Sequence, residues 1–368
     1  MAQKVRAAVL LELNKLELQE FDKPEIRPED GLLWVEQAGV CASDPGWYKG
    51  KLPVGGLPII LGHEILGRIA EIGSEASRKW GVKAGDRVVV EGSTHCDHCY
   101  YCVHGQYHLC ENRVSYGSTV PTTVKPALWG AYAEYMYLAP GSLVHQISDQ
   151  VPAEGGVLVG AVLANAIRWV SEFGRVRPGD AVVVQGVGPQ GLSAVIAARE
   201  CGAGCVIATG LARDRERLAL AREFGAQHTI DVEHQDVAGE VAAITGRGAD
   251  MVIDLTGSPS AVATALDLVR KQGRIVQAGV TGSRTLTPLY LDKIIFKEVS
   301  VSGVFAHTWD SVEAAVRLVE SRRYPVEKMV THHFPLDEAE HAIHCVAREV
   351  PGVEPIKAVL TPNGVGRD

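Results

Sequence analysis

From residue 181 to about 303 the chain alternates short, unbroken apolar runs with longer segments of helical period. AVVVQG (181–186) leads into a helix predicted over 190–201, CVIAT (205–209) into one over 214–225, and MVIDL (251–255) into one over 259–271. RIVQAG (274–279) and VSVSGV (299–304) read as further strands. Such alternation predicts βαβ units and a parallel sheet. Runs such as VVV and MVI, with no polar residue on every second position, suit strands buried on both faces. Residues 1 to about 160 are of another character: short apolar strands such as RVVVE (87–91) are set off by Gly and Pro. After 305 come helical stretches at 310–322 and 336–349 and the strand-like IKAVL (356–360), assigned to the first domain. The expectation is an α/β chain with a mainly β domain, 1–160 and 305–368, and a doubly wound parallel-sheet domain, 161–304.

One turn in the second region carries chemistry. Gly186-Val187-Gly188-Pro189-Gln190-Gly191 is a G-x-G-x-x-G that follows a buried strand and opens a helix, the context that gives the pattern its meaning. The first Gly allows the tight turn, the second lets backbone approach a pyrophosphate, and the third lets helix pack on strand. The helix N-terminus then faces the anion. A nicotinamide dinucleotide is therefore expected. The next strand ends Ala208-Thr209-Gly210-Leu211, with no carboxylate to bind the ribose hydroxyls, and Arg213, Arg215 and Arg217 follow. Loss of that carboxylate together with nearby guanidinium groups favours a 2′-phosphate, so NADP is expected over NAD. Thr209, Gly210, Arg213 and Arg215 join the six turn residues as candidate cofactor contacts; against this, Asp214 and Glu216 interleave with the arginines as on a solvated helix face.

Cys96, Cys99, Cys102 and Cys110 form C-x2-C-x2-C-x7-C. Four thiolates this close in sequence can converge on one tetrahedral ion, and a closed four-thiolate shell is a structural zinc site. A ferredoxin run would place its fourth cysteine after three residues with proline next; here the gap is seven and Glu111 follows. Disulfides would need an oxidising compartment. The opening MAQKVRAAVL has no apolar signal region, so a cytoplasmic location is expected.

Composition narrows the partners. The net charge of −8 argues against nucleic acid, and no apolar run suggests a membrane span.

Upstream stand Cys41-Ala42-Ser43-Asp44 and Gly62-His63-Glu64-Ile65-Leu66-Gly67. With KAGDRV (83–88), the cysteine lobe, GAYAEY (130–135) and GVGPQG, they make the whole chain resemble the zinc-dependent medium-chain alcohol dehydrogenase family, which includes sorbitol and threonine dehydrogenases. The resemblance implies a GroES-like fold for the mainly β domain, an active site between the domains, and a dimer or tetramer. It implies Cys41 and His63 as catalytic zinc ligands, with Glu64 as the direct ligand found in polyol dehydrogenases. Asp44 would orient the histidine, and Ser43 would pass the substrate proton outward. Zinc would polarise the hydroxyl of a secondary alcohol or polyol while hydride goes to the nicotinamide.

Two positions depart from the family pattern. The usual third protein ligand falls on Ala161, leaving Cys41, His63 and Glu64 as a three-ligand site or a weak one. A relay histidine found in some members is replaced by Gly46. Trp47 and Tyr48 are candidates either for the substrate pocket or for packing. His95, His98, His104 and His108 are expected at the surface of the lobe, and Asp254 is given no role. Rival functions are a zinc-independent NADPH reductase of an activated double bond or imine, and a non-catalytic NADPH-binding protein.

Overall fold

A computed structural model describes residues 3–282 and 285–364. The chain divides into two compact units, Met1–Ala161 with Ala315–Asp368, and Val162–Ala314.

In the first unit, strand Gly31–Val40 is central. It pairs antiparallel with Glu64–Ile72, Tyr135–Leu138 and the C-terminal strand Lys357–Thr361, within a seven-stranded sheet that also holds Arg87–Val90, Val144–Gln146 and Val330–Pro335. Leu33, Val35, Ile65, Val88, Val90 and Leu360 are all buried in its core. Two registers fix which residues meet where strand Gly31–Val40 ends: Gly39 lies opposite Glu64, and Ala358 opposite Val40. Two irregularities in the Gly31–Val40 ladder, at Leu32/Leu33 and Val35/Gln37, set that alignment.

The second unit holds a six-stranded parallel sheet. Its spatial order is His228–Asp231, Cys205–Gly210, Ala181–Gln185, Ala249–Asp254, Val269–Gln277, Ser300–Gly303. Reading the strands in chain order, this is 3-2-1-4-5-6, the dinucleotide-binding arrangement. Ala249–Asp254 is buried at every position, as its apolar run Met251-Val252-Ile253 leads one to expect. Helices Pro189–Glu200, Arg215–Glu223, Val237–Thr245 and Pro259–Leu268 connect the strands. The pattern of apolar residues did not reveal strand His228–Asp231 or the helix Val237–Thr245. The strand is an edge of four residues, three of them polar and only Ile230 buried, and carries no apolar run. The helix expected over 259–271 stops at Leu268, because Val269 already turns extended and begins the next strand. Asp254, buried at the end of its strand, accepts hydrogen bonds from Thr256 N–H and Oγ1 and from Gln277 Nε2 (2.7 Å), which stitches two strand ends together.

The continuous helical run Ala153–Phe173 is long and apolar enough, by length and composition, to cross a bilayer, against the sequence expectation. Of its most apolar window, 67% is buried inside the protein, as in a core helix.

Arg87, buried on the sheet, pairs with both carboxylate oxygens of Glu36 (2.8 and 2.6 Å) and donates to the carbonyls of Ser148 and Val151. Removing one member of such a pair leaves the other unpaired and costs about 3 kcal/mol. Arg87→Met should lower the denaturant midpoint of the protein accordingly; an unchanged midpoint would mean the fork is dispensable.

Candidate metal centres and dinucleotide turn

The Cys41 thiol, a His63 ring nitrogen and a Glu64 carboxylate oxygen all lie within 4.8 Å of one another. The three come from two places. Cys41 follows directly after strand Gly31–Val40, while His63 and Glu64 stand at the start of its antiparallel neighbour. A single glycine makes room for them. A Cβ on Gly39 would sit 2.0 Å from Glu64 Oε2, so the carboxylate occupies the place of the missing side chain.

Asp44 lies fully buried beside this group. Its Oδ2 accepts from Cys41 N–H (2.6 Å) and from Tyr132 Oη (2.8 Å), which ties the Cys41 turn to the rest of the unit. Its Oδ1 is 3.6 Å from His63 Nδ1, an electrostatic contact rather than a hydrogen bond. Burial raises the Asp44 carboxyl above its usual range, partly offset by His63, Tyr132 and the Cys41 amide. Burial would likewise lower the His63 imidazolium, but Cys41, Asp44 and Glu64 outweigh it and push it up to about 9. Trp47 packs its ring edge-on against His63 at 5.1 Å, while Tyr48 is buried and donates to Glu340 (2.6 Å). Trp47 thus borders the donor group and Tyr48 is a packing residue.

Ser43 Oγ, Asp44 Oδ1 and His63 Nδ1 are buried and accept or donate no hydrogen bond. Buried polar atoms without partners are rare, and here they surround a soft thiol, an imidazole and a carboxylate, a donor set suited to zinc. Glu64 Oε2 does touch the ammonium of Lys357, itself buried, in an ion pair. Ala161 sits in the π-helical turn Val159–Leu163 and offers no ligand atom. At Gly46 a relay side chain would have to displace Leu52, since a Cβ there would meet its Cδ1 at 2.8 Å.

The second group is Cys96, Cys99, Cys102 and Cys110, whose four sulfurs also lie within 4.8 Å of one another. All four are free thiols. Asn112 Nδ2 donates to Cys96 Sγ (3.4 Å), and this with backbone donors holds the Cys96 thiol below its usual range. No histidine nitrogen joins them among the described residues. His98 and His104 are exposed, but His108 is buried and His95 largely so, against expectation. The lobe folds back over these two: His95 pairs with Asp97 (2.8 Å), and His108 packs edge-on against Tyr107. Tyr107 in turn donates to Glu91 (3.0 Å), and Glu91 contacts His145 (3.0 Å), both buried, anchoring the lobe to the sheet. The next residue, Gly92, abuts His63: a Cβ on it would lie 2.8 Å from the His63 carbonyl.

In the second unit, Gly186 takes φ +96° and donates its N–H to Thr209 O (3.0 Å). A Cβ on Gly191 would fall 1.9 Å from Gly186 O, so the third glycine is what lets the helix seat on the turn. Pro189 occupies the first turn of helix Pro189–Glu200, where its fixed φ is already helical. Gly188 is the open point; the nearest atom to a Cβ there is Arg217 Nη1 at 4.0 Å. Arg217, not the exposed Arg213 or Arg215, is therefore the guanidinium at the glycine turn. Its spacing, one helical turn further on, hid it among the three arginines. Gly210 also stays small by necessity, since a Cβ would lie 2.8 Å from Val187 Cγ2. Asp214 accepts from Leu211 N–H (3.1 Å) and caps the start of the helix.

Gly39→Ala should push the Glu64 carboxylate aside and lower zinc affinity at this centre about tenfold to a hundredfold, leaving about one tightly held zinc per chain by metal analysis. Metal uptake must also displace the His63 proton. The folded metal-free histidine has a raised pKa, so its proton stabilises the fold below pH 6.5 and that contribution is lost as pH rises through about 9. Zinc affinity should therefore climb with pH, by up to about tenfold per unit for each proton released, from His63 and from the Cys41 thiol, and the His63 part should level off above about 9. Calorimetric titration in buffers of different ionisation enthalpy measures the released proton.

The profile of the alcohol dehydrogenase GroES-like domain matches residues 27–149, and that of the zinc-binding dehydrogenase domain matches 189–321. Over 364 residues the chain is 40% identical to "Probable alcohol dehydrogenase adh" of Mycobacterium tuberculosis, covering 97% of this chain and 98% of that protein. It is 35% identical to the erythritol/L-threitol dehydrogenase of Mycolicibacterium smegmatis, covering 98% of each. The crystal structure of an alcohol dehydrogenase from Thermotoga maritima superposes with a TM-score of 0.90 at 31% identity, covering 98% of this chain and 100% of that one. The mainly β unit thus has the GroES-like fold, and the chain belongs to the zinc-dependent medium-chain alcohol dehydrogenase family of oxidoreductases.

Proposed function

We propose that this protein interconverts a secondary alcohol or polyol and its carbonyl counterpart, with NADP rather than NAD as hydride partner and a zinc ion held by Cys41, His63 and Glu64. The observation that carries this is the convergence of those three donors, with unpartnered buried polar atoms around them. A zinc ion there would polarise the substrate oxygen, and the nicotinamide would exchange hydride with the adjacent carbon. Asp44 keeps the Cys41 turn and His63 in place. Ser43, whose hydroxyl is buried without a partner, takes the substrate proton and hands it to the cofactor ribose or to water, since Gly46 supplies no histidine. The four cysteines at 96–110 hold a second, structural zinc.

Three features support NADP. No acid stands at Thr209-Gly210-Leu211, and Asp214 is engaged as a helix cap. Val187 leaves little room for a side chain at 210. Arg217 lies beside the glycine turn, with Arg213 and Arg215 exposed on the same segment. Apolar side chains left exposed on Leu291–Lys297 and just before it, beside the sheet-edge strand Ser300–Gly303, among them Tyr290, Ile295 and Phe296, support a homodimer or homotetramer. Eight reduced cysteines support a cytoplasmic location.

A panel of secondary alcohols and polyols assayed with both cofactors tests the proposal. Turnover should be faster in kcat/KM with NADP, should vanish on removal of one labile zinc, and should fall by at least about a hundredfold in His63→Ala. Undiminished turnover in that variant would rule out the zinc mechanism, and a clear NAD preference would overturn the cofactor choice.

A further inference from the structure

Lys357 opens the C-terminal strand Lys357–Thr361, a segment buried along its whole length. A lysine there loses the hydration of its ammonium, a cost of several kcal/mol unless an anion compensates it. Its ion-pair partner is Glu64 Oε2, with both side chains almost fully buried. The pairing results from register. Ala358 lies opposite Val40, so Lys357 comes level with Cys41, one residue beyond the end of strand Gly31–Val40, and Glu64 is already held opposite Gly39. One carboxylate therefore faces the other two metal donors and a buried cation at once.

We infer that Lys357 is a positioning residue for the metal centre: it engages one carboxylate oxygen of Glu64, limits Glu64 to a single bond to the ion, and supplies the fixed positive charge the centre would otherwise lack. The inference rests on the assignment of Cys41, His63 and Glu64 as zinc donors. A thiolate and a carboxylate together cancel the two charges of zinc, and histidine adds none. A nearby fixed positive charge adds to the stabilisation of the negative charge that grows on a substrate oxygen. Lys357 returns one positive charge to the centre. By occupying Oε2 it also keeps Glu64 from closing on the ion with both oxygens, which preserves an open coordination position. A purely structural contact predicts something else. Buried pairs are often replaceable by apolar groups of similar size without loss of stability, so fold alone gives little reason for an ammonium at 357.

The test compares full-length enzyme with Lys357→Met, which keeps the length without the charge, Lys357→Gln, which keeps a donor, and Lys357→Arg, which keeps the charge. Zinc affinity is measured by chelator competition, the visible spectrum after cobalt substitution is recorded, and kcat is determined. Removing the cation should tighten metal binding about tenfold or more while kcat falls about tenfold to a hundredfold. The cobalt bands should weaken as Glu64 closes to raise the coordination number, and arginine should restore all three readouts. Weaker metal binding in the Met and Gln variants, or no change, would overturn the inference, as would failure of both to fold. If the unaltered enzyme binds only the lobe zinc, it is the zinc assignment at Cys41, His63 and Glu64 that fails, a separate result.

Discussion

The convergence of Cys41, His63 and Glu64 depends on a backbone register. Strand Gly31–Val40 is flanked by Glu64–Ile72 on one side and Lys357–Thr361 on the other, and their alignment sets which side chains meet. Because successive side chains of a strand point to opposite faces, a slip of one residue would send Glu64 to the far side of the sheet. Gly39 would then face a different neighbour, and the space it leaves would serve nothing. Chemistry at this centre is thus paid for in ordinary sheet energetics: bulges, buried valines and leucines, and the Arg87–Glu36 fork keep the ladder from sliding.

The dinucleotide turn shows the same economy in another form. Each glycine of the turn is small for its own reason: Gly186 for its left-handed backbone, Gly191 for contact with Gly186 O, and Gly188 for the opening above it. Gly210 belongs to the set although it lies outside the motif, since Val187 fills the space beside it. A switch of cofactor by adding an acid at 210 would thus require a smaller residue at 187.

What the sequence disclosed was local. The cysteine lobe, the glycine turn and the Cys41–Asp44 and His63–Glu64 segments each span a few residues, and their spacing alone indicates what they can hold. The alternation after residue 181 gave the parallel sheet, except where a short polar edge strand, His228–Asp231, carried no apolar run. What escaped came from chain segments far apart in sequence. Tyr132 reaches Asp44 across 88 residues, and Lys357 reaches Glu64 from the other end of the chain. Lys357 did leave a trace, a lone cation in the apolar IKAVL, but its meaning needs the register. The burial of His108 escapes for a similar reason: a polar residue in a polar lobe gives no sign that the lobe folds over it.

The cysteine lobe is not mechanically remote from the candidate centre at Cys41, His63 and Glu64. Tyr107 grips Glu91, Glu91 contacts His145, and Gly92 presses on the His63 carbonyl. One hydrogen bond and one peptide link thus separate Tyr107 in the lobe from the backbone packed against His63. Were the lobe to lose its shape, by oxidation of a thiol for example, the strain would pass through Glu91 and Gly92 to the backbone at His63. A fault at the four cysteines would then look, in an assay, like a fault at Cys41, His63 and Glu64.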